Sequence, residues 1–321
     1  MSTYQTKSYA AINRNDDVRN NSSSGGAFHA IAKYVIEEGG LVFGAAFDED
    51  GQVRHTSCDS VNTLPELMQS KYVQSAVGNA YKEVADALSK GRTVLFTGTP
   101  CQVYGLLSYV DAAGVSARGQ LITADFVCHG VPSRMVWRRY LNHVSNGRKP
   151  IAINFRDKTN GWRDFSLKID FDDGSSYLAS WHKDPYVQGF IKNLYLRESC
   201  YECQFRGVDR KSDFTIADFW GVHELLPEMY DDKGTSIIMA HRESAVKLLE
   251  RLQPELQLCE SENEIIVKTN SPVVQSVPMN IKRNSFFDSL PDNQQIDGQI
   301  KKFINVPFTK RVVRKLRSIL K

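Results

Sequence analysis

Four cysteines in turn or strand-end contexts constrain this chain more than any other feature. Cys200 and Cys203 form a Cys-x-x-Cys pair, while Cys101 and Cys128 each follow a short apolar run predicted to be a strand. A close pair lets two sulfurs reach one metal centre, and separate strand ends can supply two more ligands. The pattern therefore predicts that these four thiolates, the cysteine quartet, hold one metal centre, with an iron–sulfur cluster favoured.

Other interpretations of the cysteines stay open from the residues alone. Structural zinc sites more often use two close pairs, whereas this chain has one. Two reduced structural thiols or a dithiol redox site would also fit Cys200 and Cys203. Cys101 is predicted to start a helix, a position that favours the thiolate form. Cys58 is predicted to be a lone buried thiol.

Composition indicates an ordinary globular protein with a sizeable core. The chain has 321 residues, of which 41% are hydrophobic and 24% charged. Residues 1–19 are polar, and no apolar run approaches the ~20 residues of a membrane-spanning helix. We therefore expect a cytoplasmic protein, in which six cysteines are more often free or metal-bound than disulfide-paired.

The net charge of +3 comes from the C-terminal tail. Residues 301–321 carry eight Lys and Arg and no acid, whereas the rest has 32 basic against 37 acidic residues. This acidic body disfavours nucleic-acid binding. Apolar residues at helical spacing within 303–321 suggest a peripheral contact with the inner face of the membrane, or packing on the body or a partner.

Alternating strand and helix patterns predict an α/β (mixed α+β) fold, with mixed sheets and flanking helices. The predicted division is a flexible N-terminal segment at 1–20, an N-terminal α/β part at 21–148, which the family resemblance given below implies to be flavin-binding, a C-terminal strand-rich part with the Cys-x-x-Cys pair at 149–280, and a basic helical tail at 281–321. The two larger parts are expected to pack around a shared cofactor site. Residues 265–268 are predicted as a short final strand.

Several polar residues near predicted turns are candidates for ligand binding. Ser23, Ser24, Gly25 and Gly26 precede a predicted helix, with Ser24 or a neighbour as its N-cap. A loop of this type can present free N–H groups to a phosphate, or simply link two elements. Lys71 and Tyr72 could lie on the surface or contact a cofactor.

His129 and Asp218 each allow a functional and a structural interpretation. His129 follows Cys128 directly, so it could donate a proton near a flavin or be an ordinary turn histidine. Asp218 ends a predicted strand and could orient a cofactor, although a structural role is favoured. The sequence lacks the standard glycine-rich dinucleotide, NTPase, zinc-protease and serine-hydrolase motifs.

The motifs in order resemble the coenzyme F420 hydrogenase/dehydrogenase beta-subunit family. They are Ser23-Ser24-Gly25-Gly26, Ser70-Lys71-Tyr72, Gly98-Thr99-Pro100-Cys101-Gln102, Cys128-His129-Gly130, Cys200-x-x-Cys203 and Asp218-Phe219-Trp220-Gly221. The resemblance spans residues 20–280 and is closest to bacterial members found with glycan-assembly enzymes. Many relatives also carry an N-terminal two-cluster ferredoxin module, and nothing of that kind precedes Asn21 here.

The resemblance implies FAD beside a [4Fe–4S] cluster ligated by Cys101, Cys128, Cys200 and Cys203. It also implies that Ser24-Gly25-Gly26, Lys71 and Thr97-Gly98-Thr99 lie around FAD. The expected function is a flavin-dependent iron–sulfur oxidoreductase for polysaccharide biosynthesis, which exchanges electrons with an external donor protein or reduced carrier. Its substrate would be a small molecule, such as a sugar or glycan precursor. A zinc-bound scaffold, a deazaflavin-dependent reductase and a homo-oligomer stay open.

Overall fold

A computed structural model describes residues 4–115, 118–290 and 296–305. Its main element is an eight-stranded mixed sheet with the order β11-β1-β10-β9-β5-β4-β2-β3. The strands of this sheet are β1 (Lys7–Asn13), β2 (Leu41–Phe47), β3 (Val53–Cys58), β4 (Val94–Gly98), β5 (Leu121–Phe126), β9 (Phe214–Asp218), β10 (Ser236–Ala240) and β11 (Leu256–Ser261). The predicted α/β class with mixed sheets is confirmed.

The centre of the large sheet is parallel. The pairs β2–β4, β4–β5 and β5–β9 run parallel, whereas the remaining neighbours are antiparallel. The carboxyl ends of β4, β5 and β9 therefore meet at one edge of the sheet. Ligands commonly bind at this edge in α/β proteins. The 97–99 turn, Cys128 and Asp218 all lie at these strand ends.

Helices cover both faces of the large sheet. Apolar residues of α2 and α8 pack on one face, and those of α3 and α4 pack on the other. The helices of the described residues are α1 (Asp16–Asn20), α2 (Ala27–Glu37), α3 (Ala80–Ser89), α4 (Pro100–Ala112), α5 (Arg134–Ser145), α6 (Pro185–Ile191), α7 (Val222–Leu225), α8 (Glu243–Arg251), α9 (Asn263–Thr269), α10 (Arg283–Asp288) and α11 (Ile296–Ile304). None of these helices is long and apolar enough to cross a membrane.

A smaller antiparallel sheet contains β6 (Pro150–Asp157), β7 (Ser166–Phe171) and β8 (Ser176–Ser180). Helices α5, α6, α10 and α11 pack against it around an aromatic core. Trp137, Phe155 and Tyr186 lie at the centre of this core, with Trp137 and Phe155 ring centroids 4.9 Å apart. Such aromatic contacts bury a large apolar area per residue.

Three local predictions need correction. Residues 7–13, predicted as part of a flexible segment, form the interior strand β1, which pairs with β10 and β11. Residues 265–268, predicted as a strand, lie in helix α9. Residue Ser24 is not the N-cap of α2, since Gly26 occupies that position. Strands β9, β10 and β11 also join the sheet of the N-terminal part, so the sheet crosses the predicted boundary at 148. Most of the predicted tail helix at 303–321 lies outside the described residues.

Candidate metal and cofactor site

The cysteine quartet comes from three regions of the fold. Cys101 is the second residue of α4, and Cys128 lies two residues after β5. Cys200 ends a short 3-10 turn at Glu198–Cys200, with Cys203 three residues further along. Because β4 and β5 are parallel neighbours, Cys101 and Cys128 leave the same edge of the sheet.

The thiols of the quartet are close enough to influence one another electrostatically. Burial is the main cause that raises the pKa of Cys128, and charges on Cys200, Cys101 and Cys203 raise it further. Burial likewise raises the pKa of Cys200, with contributions from Cys101 and Cys203. Within the described residues, no three Cys, His, Asp or Glu side chains are spaced to hold a single metal ion. The described cysteines therefore do not form a site for a single metal ion.

The turn after Cys128 approaches Cys200 closely. Gly130 has φ +143°, and a Cβ at this position would lie 2.7 Å from Leu196 Cδ1 and 3.5 Å from Cys200 Cβ. Val131 donates its N–H to Cys200 Sγ at 3.4 Å. A glycine is therefore required both for the backbone conformation and for the approach of the two cysteine segments.

The other two cysteines lie apart from the quartet. Cys58 is buried at the end of β3, and burial raises the pKa of its thiol. Cys259 pairs with Ala10 across β11 and β1. Neither thiol contributes to the shifted pKa of Cys128. Within the quartet, Cys101 is exposed, whereas the other three side chains are half-buried.

The serine-glycine loop, residues 21–26, crosses the large sheet at the start of α2. A Cβ on Gly25 would lie 2.3 Å from Ala11 O, so only glycine fits there. The Ser24 hydroxyl donates to Thr235 O at 2.7 Å, and the Gly25 N–H donates to Ser236 Oγ at 2.9 Å. Gly26 caps α2 without a side-chain hydrogen bond, which leaves the N–H groups of its first turn without a side-chain cap.

The segment with Lys71 and Tyr72 packs beside this loop. Ser70 donates its N–H to Ser23 Oγ at 2.6 Å. The Lys71 ammonium donates to the carbonyls of Met68 at 2.5 Å and Gln69 at 3.3 Å, and burial lowers the pKa of Lys71 to about 7. A cation that contacts only neutral carbonyls is well placed to receive an anion.

The hydroxyls of the 97–99 turn are used within the protein. Thr97 donates its hydroxyl to Phe43 O at 3.0 Å. Gln102 Oε1 accepts from both the N–H and the hydroxyl of Thr99, each at 3.0 Å, at the start of α4. Gly98 is packed against Gln102, since an added Cβ would lie 3.2 Å from Gln102 Cβ. This turn therefore starts α4 at a fixed point and positions Cys101.

An aromatic contact joins the Lys71 segment to the cysteine quartet. The Tyr72 ring stacks on Phe190 with centroids 4.7 Å apart, and the His129 ring meets Phe190 edge-on at 5.0 Å. His129 Nε2 lies 2.6 Å from Asn193 Oδ1, and burial lowers the pKa of His129. The imidazole is therefore neutral at neutral pH and donates its Nε2–H to Asn193.

An open groove of about 610 Å³ lies elsewhere on the sheet. It begins at the amino ends of β5 and β9, and Lys211, Arg242 and Arg251 are among its lining residues. None of the predicted site residues lines this groove. It lies at the strand ends opposite those that carry Cys128 and Asp218.

Comparison with known proteins identifies the family. The profile for the C-terminal part of the coenzyme F420 hydrogenase/dehydrogenase beta subunit matches residues 91–264, more than half of the chain. This chain belongs to the coenzyme F420 hydrogenase/dehydrogenase beta-subunit family. Membership indicates an oxidoreductase role and an association with redox cofactors. No protein of curated function matches its sequence.

A solved structure similar to this family member is a chain of the F420-reducing [NiFe] hydrogenase complex from Methanosarcina barkeri. The TM-score is 0.57 and the identity 12%, and the match covers 88% of this chain and 91% of the hydrogenase chain. At this identity the similarity shows a shared fold. The family profile spans the cysteine quartet and Asp218, whereas the serine-glycine loop and Lys71 precede it.

Sequence reasoning missed two basic residues of this beta-subunit relative. Arg156 is 2% exposed, and its guanidinium forms two hydrogen bonds with Asp218, at 2.8 and 3.0 Å. It also donates to the Tyr72 hydroxyl at 3.2 Å. Asp218 accepts a further hydrogen bond from Trp162 Nε1 at 3.1 Å. The Asp218 carboxylate thus joins Tyr72 and Trp162 through one buried ion pair.

Lys158 is the second missed residue. Its ammonium donates to the carbonyls of Arg19 at 2.6 Å, Ser24 at 2.9 Å and Lys233 at 2.6 Å. Burial, followed by the charge of Arg156, lowers the pKa of Lys158 to about 7. Lys158 therefore fixes the serine-glycine loop and adds a second enclosed ammonium beside it. Arg156 and Lys158 lie at or just beyond the end of an ordinary strand pattern, so no sequence signal marked either residue.

Proposed function

We propose that this chain is a flavin-dependent iron–sulfur oxidoreductase that passes electrons between an external donor, a [4Fe–4S] cluster and FAD. The observation that carries the proposal is that the turn after Cys128 contacts Cys200, where Val131 donates its N–H to Cys200 Sγ, while Cys101 follows the neighbouring parallel strand. Family membership supports an oxidoreductase role. The aromatic contact through Phe190 supports two adjacent cofactor sites.

The donor chemistry of the quartet fits a cluster. Thiolates are the metal-binding form, yet mutual repulsion and burial raise the pKa of Cys128 and Cys200. Positive charge bound among the thiols would offset this repulsion. Four cysteine thiolates are the usual ligand set of a [4Fe–4S] cluster. The Val131 N–H to Cys200 Sγ hydrogen bond would tune the reduction potential of such a centre.

The residues around the serine-glycine loop fit a flavin dinucleotide. Lys71 and Lys158 are enclosed ammonium groups whose hydrogen bonds go to backbone carbonyls. Burial alone lowers the pKa of Lys71, and at Lys158 burial outweighs the nearby charges of Asp218 and Asp231. An anionic pyrophosphate would supply the missing charge, and the uncapped N–H groups of α2 would add donors.

Each part of the site would have a distinct task. When bound, FAD would convert one-electron transfer through the cluster into two-electron chemistry on an organic substrate. Tyr72, with Arg156 and Asp218, would form one wall of the flavin site. His129 would hold a proton at Nε2 next to Cys128, fixed by Asn193. The 97–99 turn would position Cys101.

One experiment tests this assignment against its main alternative. Anaerobic purification should give a brown protein with about four iron, four sulfide and one flavin per chain. Iron, sulfide, zinc and flavin should be measured on the same sample. A colourless protein with stoichiometric zinc and no flavin would favour the zinc-bound scaffold and reject the redox assignment.

A deazaflavin-dependent reductase is the second candidate. The observation that favours it is the shared fold with a chain of the F420-reducing [NiFe] hydrogenase complex. Absorbance of a deazaflavin, followed anaerobically with the reduced protein, would report hydride transfer. Reduction of the deazaflavin supports this candidate. Reduction of the bound flavin without any change in the deazaflavin excludes it and leaves a sugar or glycan precursor as the proposed substrate.

Partners and location are also proposals. The similar hydrogenase chain belongs to a larger protein complex, which supports a protein electron donor for this chain. A homo-oligomer is a further candidate assembly. Residues 303–321 are proposed to contact anionic lipid at the inner face of the membrane. Deletion of residues 303–321 should abolish binding to vesicles that contain anionic lipid, and unchanged binding would remove this proposal.

A further inference from the structure

A buried arginine outside the cysteine quartet connects the segment that carries Cys128 with the segment that carries Cys200 and Cys203. The Arg210 side chain is 2% exposed, and its partner Asp125 is 0% exposed. Arg210 Nη1 donates to Asp125 Oδ1 at 3.0 Å and lies 3.4 Å from Phe126 O. Arg210 Nε donates to Gly207 O at 3.1 Å. We name these contacts the Arg210 bridge.

The position of the Arg210 bridge is its main feature. Asp125 and Phe126 are the last two residues of β5, and Cys128 follows two residues later. Gly207 and Arg210 lie in the loop that follows Cys203. One guanidinium therefore contacts the strand before one quartet cysteine and the loop after another. The Arg210 bridge joins segments that are distant in the sequence.

Asp125 is held firmly on its side of the bridge. Its Oδ2 accepts from the Ser212 hydroxyl at 3.0 Å, and its Oδ1 accepts from the Thr215 hydroxyl at 2.5 Å. Ser212 and Thr215 lie just before and within β9, the parallel neighbour of β5. The carboxylate thus has fixed partners on both sides, so it provides a rigid anchor for Arg210.

A buried ion pair such as Arg210–Asp125 contributes little net free energy to folding. The free energy needed to remove two charges from water cancels much of the gain from their attraction. Proteins with apolar residues of similar volume in place of a buried ion pair are often equally stable. The geometry does give a reason to keep this ion pair, because the bridge ties the end of β5, just before Cys128, to the loop that follows Cys203. Groups that orient metal ligands typically change metal affinity by about 10–100-fold when removed.

We propose that Arg210 and Asp125 are positioning residues for the metal centre, which hold Cys128 at the correct separation from Cys200 and Cys203. This inference rests on the proposed function, since it takes the quartet as the ligand set. Without the bridge, the Cys203 loop can move relative to β5, and the apoprotein binds iron more weakly and assembles the centre more slowly.

Arg19 provides a matched control for Arg210. It is also buried and forms two hydrogen bonds with an aspartate, Asp231, at 2.6 and 2.7 Å. Arg19 Nη2 donates to Gly234 O at 2.9 Å. Both arginines therefore join an aspartate to a glycine carbonyl. The Arg19 contacts, however, lie beside the serine-glycine loop, and none of these contacts involves a quartet cysteine.

The test compares four proteins: the wild type, Arg210→Lys, Arg19→Met, and the double variant Asp125→Asn with Arg210→Met. The double variant leaves no unpaired charge, and Asp125→Asn keeps one of the two oxygen acceptors that Ser212 and Thr215 use. Each apoprotein is reconstituted anaerobically with Fe²⁺ and sulfide. The measurements are iron per folded monomer, the rate of assembly, the electron paramagnetic resonance spectrum of the reduced centre, and the thermal midpoint.

The double variant should keep its thermal midpoint within a few degrees and lose about tenfold or more in apparent iron affinity. Arg210→Lys should give an intermediate loss with an altered spectrum, whereas Arg19→Met should retain the iron content, assembly rate and spectrum of the wild type. Wild-type iron content, assembly rate and spectrum in Arg210→Lys would overturn the inference, even where the double variant does not fold. A wild type that takes up no iron would instead reject the proposed function itself.

Discussion

Tyr72 stacks on Phe190 with ring centroids 4.7 Å apart, and Phe190 also meets the His129 ring edge-on at 5.0 Å. Tyr72 belongs to the segment beside the serine-glycine loop, whereas His129 directly follows Cys128. Phe190 therefore brings a proposed flavin wall and a proposed cluster ligand into one packed unit. Electron transfer between two bound cofactors would require this type of proximity.

Replacement of a quartet cysteine should remove the metal centre. Cys203→Ser should lose most of its iron and much of its thermal stability, because ligand loss removes metal-binding free energy from folding. Iron, sulfide and the thermal midpoint should be measured after anaerobic purification. Cys58→Ser and Cys259→Ser are the controls and should retain full iron. Full iron in Cys203→Ser, or loss of iron in a control, would contradict the ligand assignment.

Replacement of Lys158 should weaken flavin binding. Lys158→Met removes an ammonium that holds three carbonyls, including Ser24 O. Charged hydrogen bonds contribute about 1.5–3 kcal/mol each, so loss of one net interaction should raise the flavin Kd about tenfold or more. The Kd can be measured by quenching of flavin fluorescence. Lys168→Met, which removes a partly exposed lysine paired with Asp170, is the control. Equal flavin affinity in both variants would refute the assigned role.

Flavin affinity should fall as the pH rises above about 7. Burial lowers the pKa of Lys71 and Lys158 to about 7, so both amines become neutral above that pH in the flavin-free protein. A bound pyrophosphate favours the charged forms and should raise both pKa values. The Kd should therefore increase by up to about tenfold per pH unit for each group, with proton uptake on binding.

Calorimetry in buffers of different ionisation enthalpy would measure this proton uptake. In the flavin-free protein, folding stability should change with pH in the opposite direction to flavin affinity. Because the folded pKa of each lysine is lowered, the unfolded chain binds more protons above pH 7, and stability should rise with pH up to the unfolded pKa near 10.5. Lys71→Met should flatten both profiles. A flavin Kd independent of pH between 7 and 9 would argue against lysine contacts to the flavin.

Substitution of Gly130 should destabilise the protein and weaken iron binding. Gly130→Ala combines a φ of +143° with an added Cβ 2.7 Å from Leu196 Cδ1. Unfavourable backbone conformations of this kind cost about 1–3 kcal/mol, and the shift should also separate Cys128 from Cys200. Gly174→Ala is the control, since its φ is +80° with nothing within 4 Å of the added Cβ. The Gly130 variant should lose both stability and iron, whereas the Gly174 variant should lose stability only. Equal iron in the two variants would contradict this role.

Local patterns in the sequence were sufficient to predict many of the strands and helices. Apolar runs bounded by turn residues predicted the strands before Cys101 and Cys128 and the strand that ends at Asp218, and a helix was predicted to begin at or just after Cys101. The order of short motifs indicated the family. These features are local, because strand alternation, helix capping and turn chemistry depend on residues close in the chain.

The sequence by itself determined the order of elements, the family and the candidate cysteines. Only the tertiary structure decided that residues 7–13 form an interior strand, because β1 pairs with strands more than 200 residues away. It also decided the hydrogen-bond partners of Arg156, Lys158 and Arg210, which lie on other elements. A single basic residue has no local signal, and its burial depends on distant segments that remove it from water and supply its hydrogen bonds.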